Sequence, residues 1–161
     1  MSQPLEISTP SDREVVITRS FDAPRELVFD CYTRPELVRR WLLGPPGWTM
    51  PVCDIDLRVG GRYRYVWRGP TGEEMGMGGV FREVARPERI ASNELFDQDW
   101  TGGETLVTTE FSERAGRTIS TTTVLYVSKE AREGMLATGM TDGMEAGYRR
   151  LDELLASMPA S

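Results

Sequence analysis

Histidine is missing from this 161-residue chain. Its absence removes the commonest general base, the usual Ser and Cys catalytic triads and the usual zinc sites together. Any chemistry has to use carboxylates, Tyr, Lys, Arg or water. Cysteine is scarce too: Cys31 and Cys53 are the only two. One lies in a helical pattern and one in a strand pattern, with no close-spaced metal or redox motif, so two buried free thiols are expected. Positive charge is in deficit, with 19 Lys and Arg against 25 Asp and Glu and a net charge of −6. That is the wrong field for nucleic acid or an anionic membrane. There is no run of about 18 apolar residues, so no membrane insertion is expected. Residues 1–12 lack the basic-then-apolar order of a secretory signal and read as a loose tail, which leaves a cytoplasmic location as the expectation. Internal repeats and low-complexity segments are absent as well. Nothing in the chain implies a cofactor or a metal.

What is present fits one soluble domain over residues 13–158. The hydrophobic content is 39% and the charged content 27%, enough for a sizeable core at this length. The longest helical pattern covers residues 141–158. Met140, Met144, Tyr148, Leu151, Leu155 and Met158 follow the spacing of one helical face. Thr141 is the N-cap candidate, and Asp142 and Glu145 suit the positive end of the helix dipole. A shorter helix at 129–137 starts at Ser128 and stops at Gly139 in the left-handed conformation. Gly143 and Gly147 each cost about 1 kcal/mol against Ala inside a helix. They point either to close packing of helix on sheet or to space left beside the methionines.

The rest of the chain reads as strands, turns and two short helices. The first strand is 13–21, followed by a stop at Asp22-Ala23-Pro24, with Asp22 as a capping candidate. Helices follow at 25–32 and 36–42, joined in a V at Pro35. Gly44-Pro45-Pro46-Gly47 is a loop, with Trp48 after it. Further strands are expected at 50–57, 62–67, 73–84, 89–96, 105–111 and 118–127. Gly60-Gly61 marks a hairpin turn, ordered by Asp56, and a polar loop at 97–103 surrounds Trp100. Hairpin-joined strands make an antiparallel sheet. Seven such strands cannot stay flat, so the expected α+β architecture is a sheet curved around the last helix.

The segments FDAPRELVFDCYTRPELVRRW, VCDIDLRVGGRYRYVWRGPTGEE, GGVFREVARPERI and SKEAREGMLATGMTDGMEAGYRRLDELL resemble the START-like, or SRPBCC, superfamily. Within it they are similar to the bacterial branch named after the C-terminal domain of the heat-shock-protein-90 ATPase activator. The resemblance spans nearly the whole chain, and the Asp56-Leu57-Arg58-Val59-Gly60-Gly61 turn is among its most specific parts. It implies a helix-grip fold: a seven-stranded antiparallel sheet around a C-terminal helix, closed at one end by two short helices. It also implies a cavity between sheet and helix in which relatives hold lipids, sterols, hormones or polyketides, and in which a few relatives act as cyclases or dehydratases. The chaperone link belongs to relatives with an additional N-terminal domain, which residues 1–12 are not expected to supply.

If the sheet grips the helix, one set of side chains converges. Tyr63, Tyr65, Trp67, Met75, Met77, Phe81 and Phe96 come from the sheet. Met140, Met144 and Tyr148 come from the helix, with Trp41 and Trp48 at the end closed by the short helices. Met is pliable, and Tyr and Trp carry polar tips, which suits a pocket for a hydrophobic or aromatic small molecule. The same residues also suit a plainly filled core. Glu94 is the one charged residue in phase with inward neighbours, namely Ile90, Ser92 and Phe96. Buried, it must be paired or protonated, which makes it the single candidate for acid–base work. A water-exposed strand edge, or a salt bridge to Arg62 or Arg64, would be the alternative. No stripe of exposed apolar residues argues for a homodimer, although one remains compatible with the sequence.

Overall fold

The computed structural model describes residues 4–98 and 103–158; the expected loop residue Trp100 lies outside them. In chain order the elements are β1 (Glu6–Ser8), β2 (Glu14–Phe21), α1 (Arg25–Thr33), α2 (Pro35–Trp41), β3 (Thr49–Ile55) and β4 (Arg62–Arg68). They continue with β5 (Glu74–Ala85), β6 (Arg89–Phe96), β7 (Thr105–Arg114), β8 (Arg117–Leu125), α3 (Lys129–Ala137) and α4 (Met140–Ser157). The strands form one antiparallel sheet in the order β1-β2-β8-β7-β6-β5-β4-β3. From β3 to β8 each strand lies beside its successor. β2 then closes on β8 in continuous register from Glu14↔Leu125 to Phe21↔Thr118.

The sheet has eight strands, not seven. The extra one, β1, lies where a loose tail was expected. Its three residues are all exposed and show no alternation, so periodicity could not reveal it. Backbone pairing holds it to β2, from Glu6↔Thr18 to Ser8↔Val16. The Leu5 amide also donates to Glu145 Oε1 of α4 at 3.0 Å.

Period-two alternation decides which face of the sheet is inner. Val15, Ile17, Arg19 and Phe21 of β2 are buried, as are Tyr63, Tyr65 and Trp67 of β4. On β8 the buried set is Thr118, Ser120, Thr122 and Val124. Arg64, on the outer face, pairs with Asp97 at 2.6 Å. At the Gly60-Gly61 turn the Asp56 carbonyl accepts from the Arg58 amide at 2.9 Å, and the Asp56 carboxylate pairs with Arg58 at 2.9 Å.

Helix ends follow local chemistry with two corrections. Ser128 Oγ accepts from the Ala131 amide at 3.0 Å and caps α3. Gly139 is left-handed, with φ of 76°, and stands as the N-cap of α4, so Thr141 lies inside the first turn and caps nothing. Pro24, not Asp22, is the N-cap of α1; Asp22 pairs instead with Arg117 at 3.1 Å. Gly147 is a close-packing glycine, but its partner is a helix. A Cβ there would lie 3.0 Å from the Trp41 carbonyl oxygen at the end of α2. Gly143 faces the loop beyond α2, with Pro45 Cδ 3.8 Å from where its Cβ would be.

α4 is tied to the sheet by Arg19. Its guanidinium, nearly sealed from water, bonds Glu145 at 3.1 Å and Asp152 at 2.8 Å and lies over the rings of Phe21 and Tyr148. Among the described residues no helix is long and apolar enough to cross a membrane.

The apolar interior has two parts. One gathers β2, α1, β7, β8 and the C-terminal half of α4, around Phe21, Phe29, Phe111, Tyr148 and Leu151. The other gathers α2, β3, β4 and β5, around Val38, Cys53, Tyr63, Tyr65, Trp67 and Phe81. Leu42, Val84 and Ile90 touch both.

Candidate ligand-binding site

β6 runs between these two halves of the interior. Its cross-strand partners place Ser92 opposite Phe81, Glu94 opposite Thr105 and Phe96 opposite Met77. Phe81, Thr105 and Met77 are all buried. Glu94 therefore points to the inner face, as its phase in the sequence implied, and no bridge to Arg62 or Arg64 forms.

The ladder between β5 and β6 opens beside it. Regular pairing stops at Gly78↔Leu95 and resumes at Phe81↔Ser92. In the interval the Val80 amide donates to the Asn93 side-chain oxygen at 2.7 Å. The Tyr63 hydroxyl donates to the Asn93 carbonyl at 2.8 Å. Side chains thus satisfy backbone groups where the strands do not; the register is the same on both sides of this interval, and it shifts only beyond it, between Phe81 and Glu83. Gly79 sits in this interval and tolerates no side chain, since a Cβ would lie 1.9 Å from the Asn93 oxygen.

Glu94 faces the inner side of the sheet yet is only half-buried. Among the described residues its carboxylate has no hydrogen-bond or ion-pair partner, and neither does the Tyr65 hydroxyl. Neither atom set is sealed from water: Arg132 Nε is the one buried side-chain polar atom in the described residues that lacks both water and a partner. Both groups are thus within reach of water on the inner side of the sheet. Loss of hydration pushes the Glu94 carboxyl up to about 7. Burial also raises the hydroxyls of Tyr63, Tyr65 and Tyr126, and the nearby Glu94 charge adds to each.

The expected lining residues divide between the two halves. Tyr63, Tyr65, Trp67, Met77 and Phe81 form the β4–β5 half, with Trp48, Met75 and Phe96 packed against it. Tyr65 lies 5.2 Å from Tyr63 and 5.7 Å from Trp67, ring centre to ring centre. Trp41 and Tyr148 belong to the other half, stacked on each other at 6.0 Å. The indole of Trp41 donates to the Cys31 carbonyl at 2.8 Å and that of Trp67 to the Leu42 carbonyl at 2.7 Å. These two indoles are fixed parts of the framework. Met144 packs against the first half of the interior while half-buried. Met140 is also half-buried, and its sulfur accepts from the Tyr126 hydroxyl at 3.8 Å.

Tyr126, Thr105 and Asn93 complete this region and were not anticipated. Tyr126 lies within the expected strand 118–127, in phase with the buried Thr122 and Val124, so alternation carried the signal for it. Asn93 alternates with Ser92 and Glu94 yet is buried, its side-chain oxygen accepting from the Val80 amide and its carbonyl from the Tyr63 hydroxyl. The thiols contribute no chemistry: burial pushes Cys31 up to about 12 and Cys53 to about 11. The described residues hold no cluster of three or more Cys, Asp or Glu that could bind a metal.

The family model described as Activator of Hsp90 ATPase homolog 1-like protein matches residues 22–156. Among solved structures, one from Rhodobacter sphaeroides shares 35% identity over 97% of this chain and 100% of that one, with a TM-score of 0.91. A protein from Mycobacterium smegmatis shares 26% identity over 99% of each chain, with a TM-score of 0.82. One from Nitrosomonas europaea, at 24% identity and a TM-score of 0.81 over 92% of this chain and 97% of that one, shares the fold. No curated protein matches the chain.

Proposed function

Because the chain belongs to the Activator of Hsp90 ATPase homolog 1-like family, which points to a ligand-binding or chaperone-interaction module, we propose that it binds a hydrophobic or aromatic small molecule. The ligand occupies the space between β4–β6 and the N-terminal half of α4. One observation carries this reading. An unpaired carboxylate and an unpaired phenol, Glu94 and Tyr65, face the inner side of the sheet where the two parts of the apolar interior meet, and neither is sealed from water. A filled core would instead seal or pair such groups.

The half-buried state of Met140 and Met144 supports entry from that end of α4. The test is titration with the neutral probe 1-N-phenylnaphthylamine. Saturable binding is expected, weakened about threefold or more by Tyr65→Ala and by Met144→Ala, since each removes apolar contact from one wall. No binding, with both variants merely less stable, means a filled interior.

A second reading is favoured by the same two groups. A carboxyl near 7 beside a free phenol suits general acid–base catalysis on a polyketide-like substrate. Turnover that survives Glu94→Gln unchanged removes it.

A further inference from the structure

The polar groups inside the molecule are unevenly matched. Arg19 is neutralised by Glu145 and Asp152. The Tyr63 hydroxyl is committed to the Asn93 carbonyl, and the Tyr126 hydroxyl to Met140. Tyr32 is bonded to Ser120, and Thr109 to Thr122. Besides Arg132 Nε on α3, what is left over among the described residues on the inner side of β4–β6 is one acceptor-only carboxylate, Glu94, and one phenol, Tyr65. An ionised carboxylate offers about four acceptor sites and no donor. Bringing it inside without a donor is costly, so whatever fills the space is stabilised in proportion to the donors and positive charge it carries.

Resting on the reading above, we propose that the ligand is an organic amine whose protonated nitrogen binds the Glu94 carboxylate and whose apolar or aromatic body lies among Tyr65, Met77, Phe96, Met140 and Met144. Three arguments favour an amine over an alcohol or an acid. A protonated amine brings two or three donors and the missing charge, whereas an alcohol brings one donor and leaves the charge uncompensated. A ligand carboxylate meets a like charge. The rings of Tyr63 and Tyr65, 5.2 Å apart at the same wall, offer negative faces that attract a cation.

The groups facing Glu94 add no competing cation. From β4 they are the phenols of Tyr63 and Tyr65, and after β8 the phenol of Tyr126. Beyond Tyr65, on β3, lies the thiol of Cys53. On α4, Met140 and Met144 are neutral, and Glu145 is held by Arg19. Hydration loss is what raises the Glu94 carboxyl, and no cation among these groups offsets it.

The experiment compares tryptamine, its neutral counterpart tryptophol and its acidic counterpart indole-3-acetate, by calorimetry and by displacement of 1-N-phenylnaphthylamine. A charge-assisted hydrogen bond predicts tryptamine tighter than tryptophol by about tenfold or more at about pH 8, with indole-3-acetate weakest. The preference should fade as pH falls to about 5.5, because Glu94 takes up a proton and no longer offers a charge. In Glu94→Gln it should be absent while phenylnaphthylamine still binds. If that variant fails to fold, the pH profile of the natural chain decides alone. Phenylnaphthylamine binding without a tryptamine preference, or with a preference indifferent to pH, overturns the amine and leaves the apolar site intact. Failure of every compound, phenylnaphthylamine included, overturns both.

Discussion

A carboxylate carried to the inner face of a sheet loses hydration and must recover it elsewhere. Glu94 recovers none from the described residues, so its carboxyl rises from 4.5 to about 7. The sign of the stability effect follows. A raised folded-state value means that the native protein holds the proton more tightly than the unfolded chain. The stability linked to it is fully present below about 4.5 and is lost as pH rises through about 7. The loss is at most about 3 kcal/mol, from the two values and the free energy per pH unit. Glu94→Gln keeps the shape and cannot ionise. Urea denaturation is therefore expected to show it gaining up to about 3 kcal/mol on the natural protein at about pH 8 relative to about pH 5. An equal difference at both pH values would place Glu94 in bulk-like water. Its inward phase was legible in the sequence from Ser92 and Phe96 on either side. Its lack of a partner was not: alternation on β4 puts Arg62 and Arg64 on the face opposite Tyr63, but only the regular pairing of that strand and the Arg64–Asp97 bond show that no bulge turns them inward.

Glycine in the middle of a helix costs about 1 kcal/mol unless something forbids a side chain. α4 contains one glycine of each kind. At Gly143 the nearest atom to an added Cβ is 3.8 Å away, an ordinary contact. Gly143→Ala is expected to raise stability by up to about 1 kcal/mol. At Gly147 the Trp41 carbonyl oxygen stands at 3.0 Å and also accepts from the Leu43 amide, so it cannot easily move. Gly147→Ala is expected to lower stability, and thermal melts of the two variants should shift in opposite directions. A stabilising Gly147→Ala would show that α2 yields. Both helices of this contact were readable from their periodicity, and so were β4 and β8 from their alternation. The contact itself was not readable, since period gives a face and not its partner. β1 was unreadable for a different reason: three exposed residues have no face to bury, and only the unpaired edge of β2 recruits them. The division of Trp41 and Tyr148 from Tyr63, Tyr65 and Trp67 was likewise hidden, because both sets point inward.

At the scale of the whole molecule, stability is unevenly distributed along α4. Tyr148, Leu151, Leu154 and Leu155 are buried against β2, α1 and β8, and Arg19 fastens the middle of the helix to the sheet. Ahead of Glu145, Met140 and Met144 are half-buried, and α3 joins α4 through a left-handed Gly139 with open space around it. Fewer buried contacts mean that local opening costs less than global unfolding. Amides of 129–144 should therefore exchange hydrogen faster than those of 148–157 and of the β2–β8 pair. On the proposed reading, a ligand beside Glu94 adds contacts to Met140 and Met144 on this helix. A ligand that binds the native state slows opening in proportion to the affinity lost on opening. Saturating phenylnaphthylamine is thus expected to slow exchange in 129–144 about tenfold or more, with 148–157 changed far less. Slowing confined to outer-face strands, or spread evenly over the chain, would move the binding site away from α4. The firm C-terminal half of α4 holds the sheet curved; on the proposed reading a ligand reaches Glu94 past the looser N-terminal half, and Arg19 marks the boundary between them.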